Sequence, residues 1–453
     1  MTRHRCGLAS LAVVSAMAAS SLPLHAQTLR ERFAHLFVFG DNGVQLFLPG
    51  SADPNNPAST QLHGSHFIPA SVDANGSLIA FIGNAIASGA ASAPVSAASA
   101  GTTFRFEGGV PVATSTSSGP LFAERAQTLG KGRVFAGFNR NHSHYKSIRG
   151  VSLNDIRLIF THENVTSAEV PDCDVTAGGD CNLMGIPRLE NDIMLFNLSL
   201  DVDATVTSVF LSYGLTDRLD VSFALPIVST TLTGTSNAEI VPFGGPPVVH
   251  YFAGTSDNPV LHATQSISGS ATGIGDAATR VKFKVSESGR SGFAMLLDAR
   301  FPTGATGDLL GTGHFAARAL AIISSRFGDF SPHANVGYLM RTGKTENDAV
   351  LATVGFDHRM APWATLAADL ISEFQVGDNK FRLPTTVHYD FPFTRTIEPS
   401  SIPEIRDNLI NGSLGVKFKT YGELTGVANT IFPLNRAGLR PNLIWTFGVE
   451  HSF

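Results

Sequence analysis

The C-terminal end of the chain alternates between apolar and polar side chains, and this period of two limits the folds open to it. From Leu443 to Phe453 every second residue lies on one largely apolar face, which includes Trp445 and Phe447. The other face carries Ile444, Thr446, Gly448, Glu450 and Ser452. Such alternation over about ten residues predicts a β-strand with one face in lipid and the other toward a polar lumen. A terminal strand of a soluble β-sandwich would alternate in the same way.

The N-terminus favours the first of these two folds. Residues 1–26 combine a basic start with a short apolar run and small residues, which predicts a cleaved secretory signal peptide, although Leu24 stands where alanine is preferred. The apolar run is shorter than the ~20 residues of a membrane-spanning helix. The terminal strand ends on Phe453, which resembles the signal by which bacterial outer-membrane barrels are recognised for assembly. We therefore expect recognition by the barrel-assembly machinery and a location in the outer membrane.

The same alternation recurs in pairs of segments from about residue 131 onward. Val281, Phe283 and Val285 alternate with basic residues. After a turn, Met295 and Leu297 lie on one face of the next segment, and Asp298 and Arg300 lie on its other face. A barrel turns the apolar face to lipid and the charged face to the lumen. The predicted lumen-facing charges are Arg280, Lys282, Lys284, Asp298, Arg300, Asp369 and Glu373. These charges either tune which solutes pass or only pair with one another and solvate the interior.

These patterns predict an all-β fold: a transmembrane antiparallel up-and-down β-barrel with an N-terminal luminal or extended segment. We count about thirteen strands from residue 131, and bacterial single-chain barrels have even numbers. Residues 102–114, where Phe104 and Phe106 alternate with polar neighbours, offer a fourteenth strand, and twelve remains an alternative. The prediction is therefore 12–14 strands, with short periplasmic turns and longer outer loops.

The sequence divides into three segments. Residues 1–26 are the signal peptide, and residues 131–453 are the outer-membrane barrel. Residues 27–130 contain runs rich in Ala, Ser and Gly, such as 87–100. This segment is either a disordered extension or a luminal hatch that ends in the first strand, because a wide barrel must fill its lumen or conduct through it.

Charge and the absence of known motifs argue against two classes of function. Removal of residues 1–26 takes two arginines and no acidic residue from a chain of net charge −5, so the mature chain carries −7. A nucleic-acid-binding protein would be basic and clustered in charge, so no nucleic-acid partner is expected. The chain contains no Gly-x-Ser-x-Gly, phosphate-loop, dinucleotide or His-Glu-x-x-His motif. We therefore expect no enzyme activity and no cofactor.

Two pairs of residues could hold a cross-link or a metal. Cys173 and Cys181 predict a small disulfide loop, because the exported chain meets an oxidising compartment. Acidic residues beside them suggest calcium, but their spacing matches no known loop, and a solvated acidic turn is the preferred interpretation. His142 and His144 point the same way on a strand. With no third ligand nearby in sequence, we predict no metal site there.

Several segments resemble a known family. They are Phe122-Ala-Glu-Arg-Ala-Gln-Thr-Leu-Gly-Lys-Gly132, Tyr213-Gly-Leu-Thr-Asp-Arg-Leu-Asp220, Phe301-Pro-Thr-Gly304, Leu310-Gly-Thr-Gly313 and residues 438–453. Together they resemble the outer-membrane proteins named for the meta-pathway of phenol degradation, over roughly residues 120–453. The resemblance implies an association with aromatic catabolism. It also implies similarity to outer-membrane channels for fatty acids and aromatic hydrocarbons, which use a luminal hatch.

The function expected from this resemblance is passive uptake of small hydrophobic or aromatic compounds through an outer-membrane channel. The expected partners are outer-membrane lipid, the assembly machinery and a small hydrophobic solute. Two alternatives stay open. One is a structural or adhesive barrel without a transport role, and the other is a barrel enzyme with a Ser–His site.

Overall fold

A computed structural model describes most of the chain. The described residues are 27–39, 85, 104–107, 110–113, 123–161, 192–242, 248, 250–255, 257–381, 383, 386–389, 394–420 and 424–453. Within them the chain is almost entirely β-structure, with one short helix, α1, at Leu29–His35. No helix in this part of the chain is long and apolar enough to cross a membrane.

Twenty-one strands are present in the described residues. They are β1 (Phe104–Glu107), β2 (Val110–Ala113), β3 (Val134–Ile148), β4 (Val151–Ser152), β5 (Ile156–Thr161), β6 (Ile193–Thr216), β7 (Leu219–Val241), β8 (Ala253–Thr255), β9 (Asn258–Val260), β10 (His262–Ile274), β11 (Ala278–Ser288), β12 (Ser291–Arg300), β13 (Ala316–Ser325), β14 (Phe330–Arg341), β15 (Ala349–Ala361), β16 (Ala364–Gln375), β17 (Val387–Tyr389), β18 (Arg395–Ile397), β19 (Leu409–Lys419), β20 (Leu424–Pro433) and β21 (Leu439–Ser452).

Twelve of these strands close into an antiparallel barrel. The ring runs β7-β11-β12-β13-β14-β15-β16-β19-β20-β21-β3-β6 and closes where β6 pairs with β7. The last and first wall strands meet through β21 and β3, and Phe453 exchanges two backbone hydrogen bonds with Val134. Closure removes every free edge, which a sheet in lipid requires. The predicted all-β barrel is confirmed, with the lowest of the predicted strand numbers.

The two additional strands considered in the sequence are not part of the wall. Residues 102–114 contain β1 and β2, which pair with each other and not with the barrel. The wall therefore begins at Val134, and the described part of residues 27–130 supplies no first strand to it. The thirteenth segment is β5, which pairs only with the outer half of β6. Its apolar residues Ile156, Leu158 and Phe160 are buried, so its alternation reflects packing against protein rather than lipid.

The outer face of the wall is largely apolar. Every wall strand except β20 carries at least one exposed large apolar side chain, and most carry two or more at alternate positions. These exposed side chains include Val209, Leu211, Phe223, Val281, Phe283, Met295, Leu297, Ile323, Val336, Val354, Leu370, Leu414, Trp445 and Phe447. At the short-turn end the exposed apolar residues include Phe327, Phe330, Met360, Trp363 and Phe453, as in the aromatic girdle of membrane barrels. Exposure on this scale in water would drive aggregation, and the surface places the barrel in the outer membrane.

Strands β6 and β7 continue well beyond the wall at the long-loop end. Their outer halves pair with β5 and β10, which gives a four-stranded extension. Helix α1 packs on this extension through Leu29 and Phe33. The helix begins at Thr28 in a capping box with Glu31, whose side chain accepts a hydrogen bond from the Thr28 N–H. Residues 27–39 therefore lie at the end of the barrel opposite the short turns.

Candidate functional site

Residues 123–130, called here the luminal segment, cross the inside of the barrel near its short-turn end. The Ala126 N–H donates to the Ser324 hydroxyl at 3.0 Å, and the Leu129 N–H donates to the Asp220 carboxylate at 3.0 Å. The Asn335 amide, once its oxygen and nitrogen are assigned to satisfy both, pairs with the Glu124 main chain at 2.7 and 3.0 Å. The luminal segment is thus bound to strands from β7 round to β14.

Two charged side chains of the luminal segment form buried ion pairs with the wall. Arg125 forms a two-pronged ion pair with Asp357 of β15, whose side chain is 0% exposed. Glu124 lies 3.4 Å from the Lys282 ammonium and 3.9 Å from the Arg280 guanidinium. Charges removed from water are costly unless paired. The luminal segment therefore supplies part of the charge that neutralises Asp357 and Lys282 inside the barrel.

The Arg125–Asp357 ion pair continues into a group that contains a histidine. His333 of β14 is hydrogen-bonded through Nε2 to the Asp369 carboxylate at 2.7 Å, and its Nδ1 lies 3.8 Å from the Asp357 carboxylate. All three side chains are buried. Further round the wall, Lys417 of β19 and Glu450 of β21 pair at 2.7 Å, and both are also buried. Side chains and the luminal segment together fill the short-turn end of the barrel.

The seven charges singled out in the sequence all lie on the face of the wall opposite the exposed apolar residues. Arg280, Arg318 and Arg300 surround Asp298, with closest nitrogen–oxygen distances of 2.5, 3.2 and 3.8 Å. The other members have separate partners. Lys282 meets Glu124, Lys284 meets Glu287 near the turn at 3.0 Å, Asp369 meets His333, and Glu373 meets Arg341 at 2.7 Å. The structure therefore divides the set among several ion-pair groups.

On the side of the luminal segment away from the short turns, the lumen opens into a cavity of about 300 Å³. Glu124 and Asn335 line it beside the luminal segment, and Thr312 and His314 of the β12–β13 loop also line it. One part of its lining is charged, with Arg280, Asp298, Arg300, Arg318 and Arg341 from β11–β14. Another part is apolar. Its residues are Leu339, Leu351, Ile371, Leu409, Ile431, Leu439 and Ile444.

The cavity thus combines an apolar side with a strongly charged side. Arg440 adds to the polar side: its guanidinium bonds the neutral side chains of Asn411 and Asn435, at 2.8 and 2.5 Å. Its Nε is buried without a hydrogen-bond partner in the described part of the chain. A volume at the lower end of the usual range for ligand pockets admits a molecule of one or two rings. Apolar and polar lining together suit a solute with an apolar body.

Sequence reasoning missed Glu124, Arg125, Asp357 and His333. The stretch 122–132 stands out in the sequence only for its family resemblance, and nothing in its composition indicates a place inside a barrel. Cys173 and Cys181 lie outside the described residues, so the disulfide stays a prediction. His142 and His144 lie on the outward face of β3, away from the lumen and its cavity.

Comparison with known proteins gives one family-model match and a set of solved structures with low similarity. A family model described as "Putative MetA-pathway of phenol degradation" matches residues 196–394. Curated proteins yield no match. Among solved structures, an outer membrane channel from Pseudomonas putida F1 is 11% identical, with a TM-score of 0.39, 72% of this chain and 98% of that chain covered.

Two further structures are similar at the same level. A Pseudomonas aeruginosa FadL homologue is 10% identical, with a TM-score of 0.31 and 71% and 90% of the two chains covered. The P. putida toluene transporter TodX is 8% identical, with a TM-score of 0.30 and 71% and 89% covered. TM-scores this low carry no conclusion about the protein, so its placement in the outer membrane depends on the geometry of the wall. The resemblance drawn from the sequence is confirmed over residues 196–394, from within β6 to the edge of β18, and the segments 122–132 and 438–453 lie outside this family-model match.

Proposed function

We propose that the protein is an outer-membrane channel for passive uptake of small hydrophobic or aromatic compounds. The observation that carries this proposal is the cavity of about 300 Å³ inside a closed barrel, lined on one side by apolar residues such as Leu351, Ile371 and Ile431. A structural barrel needs no such space, since wall side chains can fill a lumen. The description of the family model, a pathway of phenol degradation, points to aromatic solutes.

The luminal segment acts in this proposal as the hatch of the channel. It lies between the cavity and the short-turn end, and its ion pairs with Asp357 and Lys282 hold it there. A solute that enters the cavity reaches the periplasm only when the segment is displaced or rearranged. Uptake is passive, because the lumen offers a route down a concentration gradient.

Uptake measurements with paired variants test the proposal. Cells that lack the protein should take up a labelled monoaromatic hydrocarbon more slowly than cells that express it, while uptake of a sugar is unchanged. Leu351→Trp should reduce the hydrocarbon rate because it fills the cavity. Val354→Trp on the same strand should not, because Val354 is 60% exposed on the lipid face. Equal rates for the deletion strain and the wild type would refute the transport role.

The alternative of a structural or adhesive barrel makes the opposite prediction. Deletion would then leave uptake unchanged and weaken the cell envelope or attachment to a surface. The long extension of β6 and β7 beyond the wall is the feature that would serve it.

A further inference from the structure

The outward face of β3 and β6 carries a cluster of metal-ligand side chains outside the lumen. His144 of β3 lies between Asp201 and Asp203 of β6, with Nδ1–Oδ1 distances of 3.6 and 3.0 Å. Their ligand atoms all lie within 4.8 Å of one another. The sequence offered His142 and His144 with no third ligand. Pairing of β3 with β6 places His144 opposite Asp203 and supplies the missing carboxylates.

His142 is in a position to add a fourth ligand atom. Its Nε2 lies 3.7 Å from the Asp203 carboxylate, and its Nδ1 is hydrogen-bonded to the Thr205 hydroxyl at 3.1 Å. A hydrogen bond on the non-ligating nitrogen is the usual device that orients a metal-binding imidazole. The ligand atoms of His144, Asp201 and Asp203 therefore converge on one point of the outer surface, and His142 approaches them through Asp203.

We propose that His144, Asp201 and Asp203, with His142 as a fourth ligand, form a binding site for zinc or a similar divalent transition metal. Imidazole nitrogens favour this class over magnesium or calcium, which prefer oxygen ligands. In tetrahedral zinc sites with bonds of about 2.0–2.2 Å, ligand atoms lie about 3.3–3.6 Å apart. The three distances of 3.0, 3.6 and 3.7 Å in the cluster bracket that spacing. Small rotations of the side chains complete the geometry.

Charge and location also favour a cation at this cluster. Asp201 and Asp203 lie two residues apart on one strand face, and in the described part of the chain their only ionic partners are the two histidines. A divalent ion would relieve the repulsion between the carboxylates. Further along the same face of β6 toward the short turn come the exposed apolar residues Val209 and Leu211. The cluster thus lies beyond the lipid-facing band, where water and ions have access.

Zinc binding to the full mature protein in detergent tests this proposal. Equilibrium dialysis of tag-free protein against zinc chloride, with metal analysis, should give one ion per chain. His144→Gln and Asp203→Asn should each weaken zinc binding by about tenfold or more, since each removes a direct ligand. His262→Gln, which changes an exposed histidine of β10, should bind zinc as the wild type does. The heat-dependent gel shift typical of folded barrels checks that each variant is folded.

The cysteines are the competing zinc ligands and need their own control. A Cys173→Ser/Cys181→Ser variant should keep the bound zinc. Loss of zinc in that variant, equal affinity in Asp203→Asn and the wild type, or no saturable binding by the wild type would each overturn the proposal. None of these outcomes depends on whether the barrel transports a solute, so the metal site and the transport role are tested separately.

Discussion

Arg125→Ala should release the luminal segment and open the barrel. Arg125 is the partner of the fully buried Asp357, and removal of one member of a buried ion pair costs about 3–5 kcal/mol. We assume that about half of this cost destabilises the luminal segment in its position inside the barrel. Since about 1.4 kcal/mol corresponds to a tenfold change in an equilibrium, the form with the luminal segment displaced becomes about thirtyfold more populated.

Single-channel recording in planar lipid bilayers measures this change directly. The wild type should conduct rarely, and Arg125→Ala should show longer or more frequent openings. Arg290→Ala is the matched control, because Arg290 is exposed in the short turn between β11 and β12. A conductance record for Arg125→Ala indistinguishable from those of the wild type and Arg290→Ala would refute the claim that this ion pair holds the segment in the lumen.

Three further predictions concern the wall and one loop. Leu297→Arg places a charge on the lipid face, where Leu297 is 60% exposed, and should lower the free energy of unfolding in vesicles by about 2–4 kcal/mol; no loss would argue against lipid contact there. Glu450→Gln leaves Lys417 buried without its carboxylate and should cost about 3–5 kcal/mol by urea unfolding, whereas a Lys417→Met/Glu450→Met double variant should recover most of it. Failure of the double variant to recover would mean that the pair itself is stabilising. The hydrogen bond to Glu346 raises the pKa of His314 in the β12–β13 loop. This pair should therefore stabilise fully below about pH 6.5 and lose its contribution as the pH rises through the raised value, a dependence that His314→Gln should abolish in thermal unfolding.

The wall could be predicted from the sequence because lipid imposes a local rule. Each wall strand must turn alternate residues to hydrocarbon, so the pattern at Met295 and Leu297 gives the facing of the whole strand without knowledge of its neighbours. The same rule places Arg280 and Lys282 on the inner face. The exact strand number did not follow, because β5 shows equally regular alternation and buries it against protein.

The contents of the lumen could not be predicted in this way. The contact of Arg125 with Asp357 joins residues 232 positions apart, and its existence depends on the path of the luminal segment through the barrel. No local spacing encodes such a pair. The carboxylates beside His142 and His144 could not be predicted for a related reason. They stand about 59 residues away in the sequence and meet the histidines only because their strands pair.

The most direct test of the proposed channel is uptake through a barrel whose luminal segment can be locked by a disulfide. A Cβ placed on Gly292 of β12 would lie 3.0 Å from the Cβ of Ala126, close to the spacing of about 3.5–4.5 Å in disulfides. In a background with Cys173 and Cys181 replaced by serine, oxidised Ala126→Cys/Gly292→Cys should not take up a labelled aromatic hydrocarbon. Reduction should restore uptake. Undiminished uptake in the fully cross-linked protein would contradict the hatch role, because the solute would then pass without any movement of the luminal segment.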